Sequence, residues 1–176
     1  GVMCLGNIEV VMKFSDLAES LKNIQDSLNS QFGELIINSL QPTKKLLIND
    51  WSDQNNLPVP VKGDGVGSKS GIYFLISEND EVLYIGKATT NNIHERIWSH
   101  LKTPEIKENN KRIFPKNNFI NRNLDENIVS LVTNGNIYFA AVEVNPTYLC
   151  SLVEVYLHSI CMKKYDRIPP LNKQIG

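Results

Sequence analysis

The chain has 176 residues, 41% of them apolar and 21% charged, with a formal net charge of −1. That length suits one domain with an appended element, and the balance is that of a globular core. No apolar run approaches the ~18 residues of a membrane span. The longest, Ile137 to Val142, has six residues and reads as a buried strand. The N-terminal residues lack the basic flank and long apolar stretch of a secretory signal. Cys4, Cys150 and Cys161 show no CxxC spacing, so free, packed thiols in a cytoplasmic protein are expected. A near-neutral charge argues mildly against a nucleic-acid partner. Its distribution argues the other way: residues 87–122 carry a local excess of five positive charges and residues 161–176 an excess of three.

In chain order, the first expected element is a helix from Phe14 to Leu40. Phe14, Leu17, Leu21, Ile24, Leu28, Phe32 and Leu35 recur every three or four residues, which makes one apolar stripe. Asp16 and Glu19 fit a capping box, and Gly33 could end or bend the helix. Positions 14, 21, 28 and 35 lie close to a heptad seam, which could pack on the rest of the chain or on a second copy. Lys44 to Trp51 reads as a further short helix. Residues 56–70 hold two Pro and three Gly among small polar residues and read as a linker. The expected division is a helical extension over 1–55, a linker over 56–70 and the main domain over 71–176.

That domain opens with a hairpin, Gly71 to Ser77 and Val82 to Gly86. A loop of two or four residues puts Tyr73 opposite Gly86 and Leu75 opposite Tyr84. Tyr73 and Tyr84 then share a face as diagonal neighbours, roughly 7–8 Å apart at the backbone. Gly86 leaves space beside the Tyr73 ring where something could bind. The same pattern also describes two core tyrosines in an ordinary hairpin. In the helix Asn91 to Leu101, Ile93, Ile97 and Leu101 form the core stripe. Arg96 and His100, four apart, stack at its edge. An arginine there offers a rigid fork of donors to phosphate, or else snorkels over the core. Residues 103–130 read as a polar, exposed insertion, Asn136 to Val144 as a third strand, and Thr147 to Tyr165 as a helix followed by Pro169-Pro170. The buried stripe of that helix reads as Leu149, Leu152, Val153, Tyr156 and Ile160. Glu154 lies off its centre among Cys150, Leu157 and Cys161, with no Lys or Arg three or four residues away. A carboxylate in such surroundings is costly unless neutralised. A divalent cation would neutralise it, and an i, i+4 pairing with His158 is the equal alternative.

Gly71-Ile72-Tyr73, ten intervening residues, and Tyr84-Ile85-Gly86 stand together with Lys87, Arg96, His100, Glu154 and, after Pro169-Pro170, Asn172. In this the chain resembles the GIY-YIG nuclease family. The resemblance implies an α+β fold, a small three-stranded antiparallel sheet flanked by helices, here with an N-terminal helical extension. It also implies hydrolysis of DNA phosphodiesters with one divalent ion, Mg²⁺ or Mn²⁺. By carry-over, Tyr73 is the general base or orients the attacking water, and Tyr84 supports it and contacts phosphate. Arg96 stabilises the pentacovalent transition state, with a less defined part for His100. Glu154 is the sole protein ligand of the metal, Asn172 holds the site together, and Lys87 biases the base or binds phosphate. Arg96 and Lys87 are expected to favour the phenolate of a tyrosine whose ordinary pKa is about 10.

The basic block offers Lys87, Lys102, Lys111, Arg112, Lys116 and Arg122 for double-stranded DNA, and no membrane is implied. The extension and insertion resemble the plan of restriction enzymes in this family. A palindromic double-strand cut then requires a symmetric homodimer. A DNA-binding module with a degenerate site, a repair or mobile-element nuclease, and an RNA-directed nuclease remain the alternatives.

Overall fold

The computed structural model describes residues 10–33, 35–39, 46–47, 66–102 and 104–176. Helix α1 spans Phe14–Phe32, and two short strands follow, β1 at Ile36–Ser39 and β2 at Leu46–Leu47. The hairpin is β3, Gly71–Ile76, and β4, Val82–Ala88, after which comes α2, Ile93–Leu101. A small ribbon pairs β5, Glu105–Ile106, with β6, Arg112–Ile113. Helix α3, Glu126–Thr133, strand β7, Tyr138–Asn145, and helix α4, Cys150–Tyr165, complete the chain.

The main sheet runs β1-β7-β3-β4, with β2 also paired to β7. The three long strands are antiparallel throughout, and Tyr73 faces Gly86 while Leu75 faces Tyr84, the register expected from the turn. It shifts only between Leu75 and Ile76, beside the turn. Strand β3 is central and all six of its residues are buried, because both faces of the sheet are covered. One face carries Ile72, Phe74, Ile76, Val82 and Ile85 against α1 and α4. The other carries Tyr73, Leu75, Leu83 and Ala88 against α2 and residues of the 103–130 segment.

Three sequence expectations change here. The α1 helix does not reach Leu40. It stops at Phe32 because Gly33 takes φ 81°, a conformation glycine adopts without Cβ strain, and residues 36–39 then pair with β7. Leu46 and Leu47 are strand, not helix, while residues 48–51 and 56–65 lie outside the described residues. The capping box does not form. Lys13 is the N-cap, Phe14 N donates to the Asp80 carbonyl at 3.0 Å, and Asp16 accepts from the Tyr165 hydroxyl at 2.6 Å.

The apolar stripe of α1 is used within this chain. Leu17 and Leu21 are buried, Leu28 packs on the same core, and the Phe14 ring meets Phe74 edge-on at 5.0 Å. The extension is therefore part of the core. The insertion is likewise not merely exposed: Phe114 and Phe119 are fully buried. In α4 the buried face is Cys150, Val153, Glu154, Leu157, His158 and Cys161, and Leu152 is outside it. Of the expected stripe, Leu149 and Val153 are buried and Tyr156 and Ile160 pack half-buried on the same core, so the buried face is rotated toward Glu154 from the one periodicity points to.

Truncating Leu21 to Ala should cost about 2–5 kcal/mol, because it opens a cavity at the α1–core contact. Urea unfolding of the full chain measures this. A loss below about 1 kcal/mol would mean that α1 does not share the core.

Candidate active site

Tyr73 comes from the middle of β3 and Tyr84 from β4, with ring centroids 5.9 Å apart. A Cβ at Gly86 would overlap Cζ and the hydroxyl of Tyr73 and lie 2.7 Å from Cε1 of Tyr84. The space that glycine leaves is thus filled by the Tyr73 ring itself, and not by a vacant pocket. Tyr73 is 1% exposed and its hydroxyl makes no hydrogen bond to a described residue. Burial raises its pKa far above the ordinary phenol value, the charge of Tyr84 adds to this, and Arg96 only partly opposes it. The expected phenolate is therefore not favoured, because desolvation outweighs the nearby cation. Tyr84 is raised too, chiefly by burial.

Helix α2 positions Arg96 and His100 by its buried stripe, Ile93, Ile97 and Leu101. Tyr84 Oη and His100 Nε2 are 3.1 Å apart. Burial, then the charges of Arg96, Arg122 and Lys173, hold the His100 pKa down to about 4, so this imidazole is neutral above that pH. Arg96 is exposed, and its guanidinium makes no hydrogen bond or ion pair with a described residue; only its backbone is bonded, to Asn92 and Ser99. Its donors face solvent, and its charge acts on Tyr73, Tyr84, His100 and Glu154 alike.

Phe119, which the sequence reading had placed in an exposed insertion, is the floor of this cluster. Asn117 Oδ1 accepts from the backbone N–H groups of Phe119 and Ile120, both at 2.9 Å, and so shapes the turn that carries it. The ring lies 5.3 Å from Tyr84 and 5.2 Å from His100, nearly parallel to the imidazole. Arg122 sits 5.6 Å over the same ring and donates to the Leu171 carbonyl.

Glu154 reaches the site from α4, which packs on the sheet face away from the tyrosines. Strand β4 is the sheet edge, and Glu154 Oε1 lies 3.7 Å from Lys87 Nζ on that strand. Its charge acts on both tyrosines, and Arg96 acts on it. The carboxylate is thus tied to β4 by contact with Lys87 and to the tyrosine cluster by charge. Glu154 is 4% exposed, and Oε1 is buried without a hydrogen bond. Burial raises its pKa, with Lys87 and then Arg96 opposing. His158 is not its partner: His158 Nδ1 accepts from Gly176 N at 2.9 Å. Among the described residues no group of three or more His, Cys, Asp or Glu could hold a metal. A single carboxylate with an unbonded oxygen does fit Mg²⁺, which binds through one or two carboxylates plus water and phosphate.

Asn172 clasps the free edge of β4. Its side chain accepts from Ile85 N at 3.0 Å and donates to the Ile85 carbonyl at 2.9 Å, while Leu171 N donates to the Leu83 carbonyl at 2.9 Å. Two cavities flank the cluster. One, about 190 Å³, is lined by Lys87, Thr89, Asn92 and Arg96. The other, about 400 Å³, is lined by Tyr84, His100, Arg122, Asn172 and their neighbours.

The structure therefore brings together Tyr73, Tyr84, Lys87, Arg96, His100, Glu154 and Asn172. Of the proposed DNA contacts, Lys102, Lys111 and Lys116 are exposed and line neither cavity. Arg112 is 0% exposed and lies over the Trp98 ring at 5.2 Å, so it does not reach a DNA-facing surface. Its long stem and planar head suit an interior stack, a role that the local charge excess conceals. Asn121, Lys173 and Gln174, at the larger cavity, went unnoticed in the sequence. The only pointer to Lys173 was the second basic block.

Residues 69–130 match a family profile, that of the GIY-YIG catalytic domain. Nothing matches among curated proteins or among solved structures.

Burial depresses His100 and His158 relative to a free imidazole near 6.5. Below about pH 6.5 the unfolded chain binds more protons than the folded one, so stability should fall from there down to about pH 4. Replacing His100 with Phe removes one of the two contributions and should flatten that decline. Melting temperatures across this window measure it, and an unchanged slope would contradict the buried neutral imidazole.

Proposed function

We propose that the chain, whose residues 69–130 match the GIY-YIG catalytic domain, is a metal-dependent DNA endonuclease of that family whose site is the Tyr73–Arg96–Glu154 cluster. The observation that carries this reading is the Glu154 carboxylate, buried, with an oxygen that makes no hydrogen bond, beside Lys87 of edge strand β4, where the charge of Arg96 acts on it. Glu154 would hold Mg²⁺ or Mn²⁺. When bound, such an ion supplies positive charge at the transferring phosphoryl group.

The remaining roles belong to side chains of this chain. Arg96 donates to the non-bridging phosphate oxygens, and its exposure and uncommitted donors suit that task. Stabilisation there grows as the phosphorus gains a fifth oxygen. Tyr73, held as a neutral phenol, orients the attacking water through its buried hydroxyl. Of the two roles implied by resemblance, its raised pKa supports this one. Tyr84 bridges toward neutral His100, whose Nε2 can accept the phenol proton. Lys87 opposes the rise that burial imposes on Glu154 and lies beside Arg96 in the smaller cavity, where a phosphate would meet both cations.

A site-specific, restriction-like enzyme is the finer form of the proposal. Its support is that residues 103–130 add a wall to the site beyond the hairpin and α2. A double-strand cut would require a second copy, and the α1 seam is already used within the chain.

Supercoiled plasmid with Mg²⁺, against an EDTA control, tests the activity. The wild-type chain should nick it. Glu154→Ala and the near-isosteric Glu154→Gln should each lose at least about 10²–10³ in rate while keeping the wild-type melting profile. Cleavage by Glu154→Gln at the wild-type rate would refute the metal-ligand role. Tyr73→Phe should lose cleavage but retain DNA binding, and equal cutting would remove Tyr73 from the chemistry. Sequencing the ends separates discrete cutting from scattered cutting, and only the former fits site specificity.

A further inference from the structure

The larger cavity opens beside Tyr84 and His100. One wall is the turn carrying Asn118, Asn121 and Arg122, and the other is the segment Asn172, Lys173, Gln174 and Gly176. Its volume, about 400 Å³, falls in the roughly 300–1,000 Å³ range of ligand sites. The lining holds two cations, Arg122 and Lys173, and no Asp or Glu. Both cations depress His100, so their field extends to the end of the groove nearest the tyrosines.

The side chains of this groove divide into fixed and uncommitted. Arg122 is fixed by Leu171 and Phe119. Asn118 donates to the Ser99 carbonyl at 2.9 Å, and Asn172 is held by both polar groups of Ile85. These bonds set the two walls. Lys173 is exposed and makes no ion pair with a described residue. Asn121 and Gln174, one from each wall, make no hydrogen bond with a described residue. An amide carries both a donor and an acceptor, which is what base edges require. A lysine is a mobile point charge suited to a phosphate.

We propose that this groove seats the nucleotide next to the scissile phosphate, its own phosphate against Lys173 and its base edge against Asn121 and Gln174. The inference rests on the nuclease reading above and adds where the cut strand continues. It also gives the 103–130 segment a direct part in substrate recognition through Asn121, beyond its part in the core.

Fluorescence anisotropy of a short labelled DNA duplex, measured in EDTA so that no turnover occurs, tests it. Lys173→Ala should weaken binding about tenfold at ~0.1 M salt and lower the log–log salt slope by about one. Lys163→Ala removes the same charge from the exposed side of α4 and should do neither. Asn121→Ala combined with Gln174→Ala should leave the salt slope unchanged and narrow the spread of affinities among duplexes of different sequence. Wild-type binding by Lys173→Ala, or an equal loss in Lys163→Ala, would overturn the proposal. A chain that shows these shifts but does not nick plasmid keeps the groove as a nucleotide site and loses only the hydrolysis.

Discussion

The Tyr73 ring occupies the volume that any side chain at position 86 would need, and the rest of the site is arranged around that packing. Because the ring lies down over its cross-strand partner, its hydroxyl reaches the β4 edge and not the middle of the sheet. Tyr84, one diagonal step away, then lies against Phe119 and His100. The edge itself is short of a neighbouring strand, and the Asn172 amide supplies the missing donor and acceptor at Ile85. Leu171 adds a backbone bond to Leu83, so two residues and not a further strand satisfy this edge beside Lys87.

Electrostatics then sorts the groups. Desolvation dominates each buried titratable group: it raises Tyr73, Tyr84 and Glu154 and lowers His100 and His158. These buried side chains are consequently biased toward their neutral forms. Arg96 stands apart, exposed and uncommitted, as the cation that all four surrounding groups feel. An anionic substrate entering this site meets positive charge without first breaking an internal ion pair of that arginine. Glu154 differs, since Lys87 already lies 3.7 Å away. On the proposed reading, a divalent ion held there would loosen that contact and free the ammonium group for a phosphate oxygen.

The legible part of the fold was the part governed by local rules. Alternation and a tight turn set the register of Tyr73 against Gly86. A nine-residue amphipathic helix put Ile93, Ile97 and Leu101 inward and Arg96 and His100 at the edge. Where the surroundings decide, the sequence was silent or misleading. Helix α4 is apolar on nearly every side, so only the sheet beneath it selects Cys150, Glu154 and Leu157 as the inner face. Residues 36–39 continue an apolar helical rhythm, yet Gly33 and the free edge of β7 turn them into a strand. Ile113-Phe114 and Phe119-Ile120 are lone apolar pairs among Asn and Lys, too short to show a period that marks them as core. Arg112 looked like a DNA contact for the same reason in reverse, since its basic neighbours hid a buried stack on Trp98. The asparagines of the turn and Gln174 carry no charge, so a search by charge passes over them.

The segment that matches the family profile, residues 69–130, contains β3, β4 and α2 but neither β7 nor α4. Without β7, the central strand becomes an edge; without α4 and α1, Ile72, Phe74 and Ile76 lose their cover, and the carboxylate is gone. The unit that inheritance preserves most visibly is thus smaller than the unit that can fold. Recombination at its borders would transplant a signature without transplanting an enzyme.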